Sequence, residues 1–230
     1  MSSSLTTHTL DCTAPKKRRR DRRSRKFLTG LGILFTLVVL ALWWSSRTQI
    51  VDLGSDNQMH NSGVYTDWAK GNIIVLIRHA ERCDRSPNPC LDDLSGITIE
   101  GSHAASEVGG AIQRLGMDNA QVLSSPEVRT RQTAHFMFGK AIASQDWLTQ
   151  CDKGFSHAAF EHKTADHNLV LVTHSGCIDQ LERQLNVPGS ERSSAYASAL
   201  FVSMGRNGKA RILGQMNANE WHKLVSSTGK

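Results

Sequence analysis

The sequence predicts an α/β fold: a three-layer α/β/α sandwich with a mostly parallel sheet, preceded by one N-terminal transmembrane helix. Three observations carry this reading. Ile73-Ile-Val-Leu-Ile77 and Asn168-Leu-Val-Leu-Val-Thr173 are unbroken apolar runs rich in β-branched residues, the pattern of strands covered on both faces. Segments of helical spacing separate the strands, as in a parallel sheet with crossover helices. An uncharged stretch of 18 residues, Phe27 to Trp44, directly follows a dense basic run.

Residues 1–26 hold nine Lys/Arg against Asp11 and Asp21, a local +7; the whole chain carries +6, so the remainder is −1. A near-neutral body argues against a nucleic-acid-binding face. As a helix, Phe27–Trp44 spans ~27 Å, just adequate for a hydrocarbon core of ~30 Å. The basic residues at one end and the Trp43-Trp44 pair at the other suit the two membrane interfaces. Positive-inside logic places residues 1–26 in the cytoplasm and everything after Trp44 across the membrane, on a single-pass anchor. The two tryptophans stand where small residues would mark a cleavage site, so the anchor is read as uncleaved. Anionic lipid heads are natural partners of the basic arm.

From Arg47 to Gly71 there is no sustained period, and this segment reads as a stalk. The domains are therefore a basic arm (1–26), an anchor (27–44), a stalk (45–71), one folded domain (72–218) and a tail (219–230). Within the domain, Thr98 is an N-cap followed by Ala104, Ala105, Val108, Ala111 and Ile112 at helical spacing, with Gly116 as the stop. Gln121–Ser124 is a second strand and Glu127–Phe138 a second helix. Ala141–Trp147 holds a weakly signalled third strand. Asn168–His174 is followed by a helix over Cys177–Leu185, stopped by Pro188-Gly189. Ala199–Met204 and Ala210–Leu213, joined through Asn207-Gly208, form a closing hairpin.

Ligands of open α/β sheets bind beyond the carboxyl ends of the strands. Three strand ends carry chemistry: Arg78-His79 with Glu81, then Ser124-Ser-Pro-Glu-Val-Arg129 at a helix entrance, then His174. Any one of these is unremarkable among ten histidines and many arginines. Their arrival at one edge is harder to assign to chance.

These residues resemble the histidine phosphatase superfamily, also called phosphoglycerate mutase-like. Its R-H-G/A-E motif matches Arg78-His79-Ala80-Glu81. Its S-S-P-x-x-R-x-x-Q-T-A segment matches Ser124-Ser125-Pro126 through Arg129, Gln132, Thr133 and Ala134. Its V-T-H-x-G strand end matches Val172-Thr173-His174 and Gly176, and its L-T-x-x-G helix is similar to Ile97-Thr98 and Gly101. A narrower likeness joins Arg78–Ser86, Cys90, Gly96-Ile97-Thr98, Gln150-Cys151 and Cys177 to the exported lipopolysaccharide core heptose(II)-phosphate phosphatases.

The resemblance implies that His79 attacks phosphorus and becomes a transient phosphohistidine, which water hydrolyses. Imidazole suits this task because one nitrogen attacks while a backbone hydrogen bond holds the other. Arg78 and Arg129 are the expected forks for the equatorial phosphate oxygens, and His174 a donor to the phosphoryl group. Arg85, seven positions after Arg78, is a further phosphate-binding candidate, with a solvated loop arginine as the alternative, and Arg82 carries the same two readings. Neither metal nor cofactor is expected.

The proton donor to the leaving alcohol departs from the family pattern. Where many relatives have L-x-E, Leu148-Thr149-Gln150 offers an amide, and Ser175 follows His174 where others have aspartate. Glu81 and Asp152 remain, with Glu81 preferred for its proximity to His79.

Cys12 falls on the cytoplasmic side, leaving Cys83, Cys90, Cys151 and Cys177 in an oxidising space. Four cysteines allow three pairings. Cys83–Cys90 would close a short loop and Cys151–Cys177 would join two strand-end loops; a zinc site lacks C-x-x-C spacing. The expected function is that of an inner-membrane, periplasm-facing phosphomonoesterase acting on a phosphorylated sugar of lipopolysaccharide. Alternatives are a phosphatase for small soluble esters or phosphohistidine proteins, and a phosphate-binding module without turnover. The sequence sets no oligomeric state.

Overall fold

The computed structural model describes residues 18–45, 47–55, 57–205 and 207–222, with side chains described over 26–42 and from 47 onward in those ranges. Two compact units divide between Ser46 and Arg47. The first is the helix α1 (Arg18–Ser45). Its large apolar side chains from Phe27 to Leu42 are exposed, from 46% at Val39 to 81% at Phe27. Thr29 and Thr36 donate their hydroxyls to the Lys26 and Gly32 carbonyls at 3.0 and 2.8 Å, so these polar groups are satisfied within the helix. Among the described residues no helix is long and apolar enough to cross a membrane. The span expected from the sequence ends on Trp43 and Trp44, whose side chains lie outside the described residues.

The second unit begins at Arg47, not at Asn72. The segment expected to be a stalk carries two short helices, α2 (Gln58–Asn61) and α3 (Val64–Ala69), and buries Leu53, Met59, Val64 and Trp68. These four residues stand at no regular spacing, which is why periodicity misses them. Before α2, Leu53 N donates to Gln215 O and Gln215 N to Val51 O, both at 2.8 Å, adding a strand-like strap to the sheet edge. The expected tail likewise starts late, since Trp221 is buried against Phe201; residues 223–230 lie outside the described residues.

Next come β1 (Ile73–Arg78), α4 (Ile99–Gln113), β2 (Ala120–Ser124), α5 (Val128–Phe138), α6 (Phe155–Glu161), β3 (Asn168–Thr173), α7 (Ser175–Gln184), β4 (Ala199–Met204) and β5 (Ala210–Met216). Thr98 caps α4 by accepting from Gly101 N at 2.9 Å, satisfying one of the orphan donors at a helix start. The sheet order is β2-β3-β1-β4-β5. β1 and β2 pair with β3 in parallel, whereas β4 is antiparallel to both β1 and β5. The sheet is thus mixed: four strands point one way, and the tight hairpin forces β4 to oppose them.

No strand forms over 141–147. Ser124 and Ser144 make a single bridge, and a 3-10 turn takes over at Asp146–Thr149. Ala141-Ile-Ala-Ser-Gln-Asp-Trp147 has one β-branched residue and two turn-forming polar ones, too weak a pattern to extend the ladder.

β1 alternates its side chains between two cores. Ile73, Val75 and Ile77 pack with residues of α4, α5 and the 53–68 segment; Ile74 and Leu76 pack on the other face with residues of α6 and α7. Each of these five residues is fully buried, worth about 1.5–3 kcal/mol apiece. On the first face α4 meets α5 at Gly109, where an added Cβ would stand 2.2 Å from the Met137 carbonyl oxygen.

Candidate active site

Register creates the site. β3 is the middle of the parallel trio, and Arg78 faces Thr173 while Ser124 faces Val172. The ladder continues one step beyond the strands: His79 N donates to Thr173 O and Ser125 N to Val172 O, both at 2.9 Å. The three motifs therefore leave the sheet side by side, delivering His79, His174, Arg78 and Arg129 to its carboxyl edge.

His79 is 3% exposed. Its Nδ1 lies 2.8 Å from Ala80 O, and because a carbonyl only accepts, Nδ1 carries the proton and Nε2 keeps its lone pair. Burial lowers its pKa to about 3, against a raising contribution from the Ala80 bond and with His174, Arg129 and Arg78 lowering it further. The ring is neutral at ordinary pH, with an oriented lone pair on Nε2. Ala80 N in turn donates to Thr133 Oγ1 at 2.9 Å, and Thr133 donates to Arg129 O at 2.7 Å. Gln132 accepts from Ile97 N at 2.9 Å. The Gln-Thr pair of the second motif thus ties the first motif's loop to α5.

His174 lies edge-on to His79. Its Nε2 is 2.9 Å from Ser125 Oγ, and Arg129 Nη2 approaches its Nδ1 at 3.4 Å. A guanidinium only donates, so Nδ1 accepts and Nε2 is the protonated nitrogen. Burial lowers the His174 pKa to about 4, with Glu127 opposing and Arg129 and Arg82 assisting. Glu127 pairs with Arg129 and places Oε1 3.7 Å from His174 Nε2.

Arg78 Nη1 donates to Ser194 O at 2.7 Å, and its guanidinium carbon lies 3.9 Å above the ring of Tyr196. The Tyr196 ring is also 5.7 Å from that of His79. Burial is the largest cause lowering the pKa of Arg78 and of Arg129, and Arg82 and Arg85 lower both further. The buried Nε atoms of both arginines have no protein partner among the described residues. Glu127 and Asp84 oppose the lowering at Arg129, and desolvated forks of this kind gain from a bound dianion.

Glu81 does not fit the role of acid. Its Oε2 accepts from Thr98 Oγ1 at 2.7 Å and Asn88 Nδ2 at 2.9 Å, and these bonds, Asn88 first, lower its pKa. The carboxylate thus ties the loop to the start of α4 and is turned onto these two donors rather than toward the paired histidines. Asp152, the other candidate, is exposed and accepts from Gly154 N at 2.7 Å in a local turn. Arg85 is exposed on the 3-10 turn Cys83–Arg85, reaching the pocket through its field. Arg82 is engaged by Asp84 in a fork at 2.7 and 2.5 Å.

The cysteines pair as Cys83–Cys90 and Cys151–Cys177. The first clamps the loop leaving His79; the second fastens the first turn of α7, immediately after His174. Among the described residues no group of three or more His, Cys, Asp or Glu side chains is arranged to hold a metal ion.

Two residues of the site escape sequence reasoning. Tyr196 lies in a loop before β4 without a motif, and Glu127 occupies a variable position inside one. The adjacent Ala197 has φ +54°, a left-handed conformation that costs an alanine about 1–2 kcal/mol; it lets Ala197 N reach His79 O at 3.3 Å.

No family model matches the chain. It is 33% identical over 174 residues to the lipopolysaccharide core heptose(II)-phosphate phosphatase of Escherichia coli O157:H7, covering 72% of this chain and 81% of that protein. To the protein of the same name from Salmonella typhi it is 35% identical over 146 residues, covering 62% and 71%. Among solved structures, the protein histidine phosphatase SixA complexed with tungstate superposes with TM-score 0.51 at 18% identity, over 64% of this chain and 97% of that one. Phosphoserine phosphatase of Entamoeba histolytica, in complex with 3-phosphoglyceric acid, superposes with TM-score 0.50 at 15% identity, over 65% and 98%. At these identities the structural likeness is one of fold.

Proposed function

The chain belongs to the histidine phosphatase family of phosphoric monoester hydrolases, and we propose that it is a membrane-anchored, periplasm-facing member that dephosphorylates heptose of the lipopolysaccharide core through a phosphohistidine on His79. The observation that carries the mechanism is the ring of His79: neutral, buried, its Nδ1 held by Ala80 O and its Nε2 free to attack. The substrate rests on the relatives' identity over most of their length.

In this mechanism Nε2 attacks phosphorus as the P–O ester bond breaks, and the developing charge on the equatorial oxygens falls to Arg78, Arg129 and the Nε2–H of His174. Water then attacks the phosphohistidine, the P–N bond breaks and inorganic phosphate leaves. Arg78 is held by the Ser194 carbonyl and the Tyr196 face, so its fork is oriented before substrate arrives, which lowers the entropic cost of binding.

The anchor reading is supported by the basic arm, the positive-inside rule and the exposed apolar surface of α1. The two disulfides suit an oxidising compartment. The test of substrate is phosphate analysis of lipopolysaccharide core from cells expressing the native protein or His79→Ala. Heptose-linked phosphate is expected to rise with the variant. Equal phosphate in both strains redirects the assignment to small soluble esters or phosphohistidine proteins. For placement, protease added to spheroplasts should degrade the folded unit while leaving cytoplasmic markers whole; protection of that unit would contradict a periplasmic domain.

A further inference from the structure

Breaking an alkyl phosphate ester leaves a strongly basic alkoxide, so a proton must reach it as the bond breaks. Glu81 points to Thr98 and Asn88 at the start of α4, and Asp152 turns to its own loop. Asp84, exposed on its turn, has both oxygens on the Arg82 fork. Glu127 differs from all three. It is the residue at which α5 begins, yet its side chain makes no capping bond to that helix. Its two oxygens face the phosphate pocket: Oε2 pairs with Arg129 Nη2, and Oε1 lies 3.7 Å from His174 Nε2. With 37% of its side chain exposed, against 16% for Arg129 and 12% for His174, it is the most solvent-accessible of the three.

We propose that Glu127 is the proton donor to the leaving-group oxygen and, in the second step, the base that activates water; this rests on the reading of His79 as nucleophile. A bound dianion takes up the Arg129 fork and leaves the Glu127 carboxyl, which enters the first step carrying a proton, beside the ester. As His79 Nε2 forms its bond to phosphorus, the P–O bond breaks and the departing oxygen takes the Glu127 proton, releasing the alcohol and leaving a carboxylate. That carboxylate then removes a proton from water as its oxygen attacks phosphorus. The P–N bond breaks, phosphate leaves, and Glu127 and His79 return to their starting states. The net change is ester plus water to alcohol plus phosphate.

The test compares a poor leaving group, glycerol 1-phosphate, with a good one, 4-nitrophenyl phosphate, in pre-steady-state kinetics of the full chain. For Glu127→Gln the phosphorylation step should slow about 100-fold or more on the glycerol ester and stay near the wild-type rate on the nitrophenyl ester. Steady turnover of the nitrophenyl ester should nonetheless fall, with a larger burst, because the second step has lost its base. Equal losses of phosphorylation rate on both esters would mean that Glu127 only positions Arg129, and no loss on either would mean that it takes no part; both overturn the proposal. The burst amplitude counts folded sites. If Glu127→Gln loses it, Glu127→Asp carries the comparison: retention of an ester-dependent loss supports the proposal, and its absence overturns it. The nucleophile reading fails separately, on wild-type protein that yields no phosphoenzyme.

Discussion

The imidazole of His79 meets that of His174 edge-on, with ring centroids 5.5 Å apart and planes at 61°. Two chemically identical side chains are given opposite roles by single hydrogen bonds. The Ala80 carbonyl fixes the proton of His79 on Nδ1 and leaves a lone pair on Nε2; the Arg129 guanidinium makes His174 Nδ1 an acceptor and leaves an N–H on Nε2. In the proposed mechanism the first ring attacks phosphorus and the second donates to it.

Both rings stay neutral well below the usual range, with pKa values lowered to about 3 for His79 and about 4 for His174. In ¹⁵N NMR of the free protein, Nε2 of His79 should remain unprotonated at pH 5. A midpoint near the ordinary 6.5 would contradict the burial argument. The linkage has a definite sign. As pH falls below about 6.5 the unfolded chain takes up protons that the folded rings refuse, so stability is lost on acidification, at up to about 1.4 kcal/mol per pH unit for each ring. Replacing His174 with Asn should flatten that slope in chemical unfolding between pH 6 and 4.

Glu182 produces the opposite slope. It is 1% exposed, and burial, with Asp179 adding and Arg192 opposing, pushes its pKa up to about 7. Between the ordinary 4.5 and about 7 the unfolded chain releases this proton while the folded one retains it, so stability falls as pH rises through that window. Glu182→Gln should therefore gain on the native protein by about 2–3 kcal/mol at pH 8 and match it near pH 4. Denaturant midpoints that differ equally at both pH values would show that Glu182 titrates alike in the folded and unfolded chain and would contradict the raised pKa.

Tyr196 supports Arg78 by its ring face, 3.9 Å from the guanidinium carbon. Removing the ring should cost about 0.5–2 kcal/mol of transition-state binding, roughly a 2- to 30-fold fall in kcat/KM for Tyr196→Ala. Tyr196→Phe keeps the face and should stay near wild type. An equal fall in both variants would assign the effect to the hydroxyl.

The disulfides should stabilise unequally. On the chain-entropy model, separations of 7 and 26 residues correspond to about 2.5 kcal/mol for Cys83–Cys90 and about 3.5 kcal/mol for Cys151–Cys177. Reduction with dithiothreitol should lower the denaturant midpoint accordingly. Cys151→Ser/Cys177→Ser should also lower kcat, because the bridge fastens the turn that follows His174; full activity with a lowered midpoint would confine it to stability.

The site was legible where residues recur at strand ends. Ile73–Ile77 and Asn168–Thr173 announce strands buried on both faces, and their ends place His79 and His174 without further information. Partners across space leave no such mark. Tyr196 reaches Arg78 through a left-handed Ala197, a backbone turn that no local pattern encodes. Glu81 sits beside His79 in sequence, and proximity along the chain favoured it over Asp152, yet its carboxylate points to Thr98 and Asn88. Leu53, Met59, Val64 and Trp68 join the core from a segment without period, so a folded strap read as a stalk.

The central claim is that His79 carries the phosphoryl group. Rapid acid-free quenching of the enzyme with ³²P-labelled substrate, followed by peptide mapping, should find an acid-labile, alkali-stable label on His79 that is absent from His79→Ala. Turnover by native protein with no label on His79, or equal label in His79→Ala, would contradict the account.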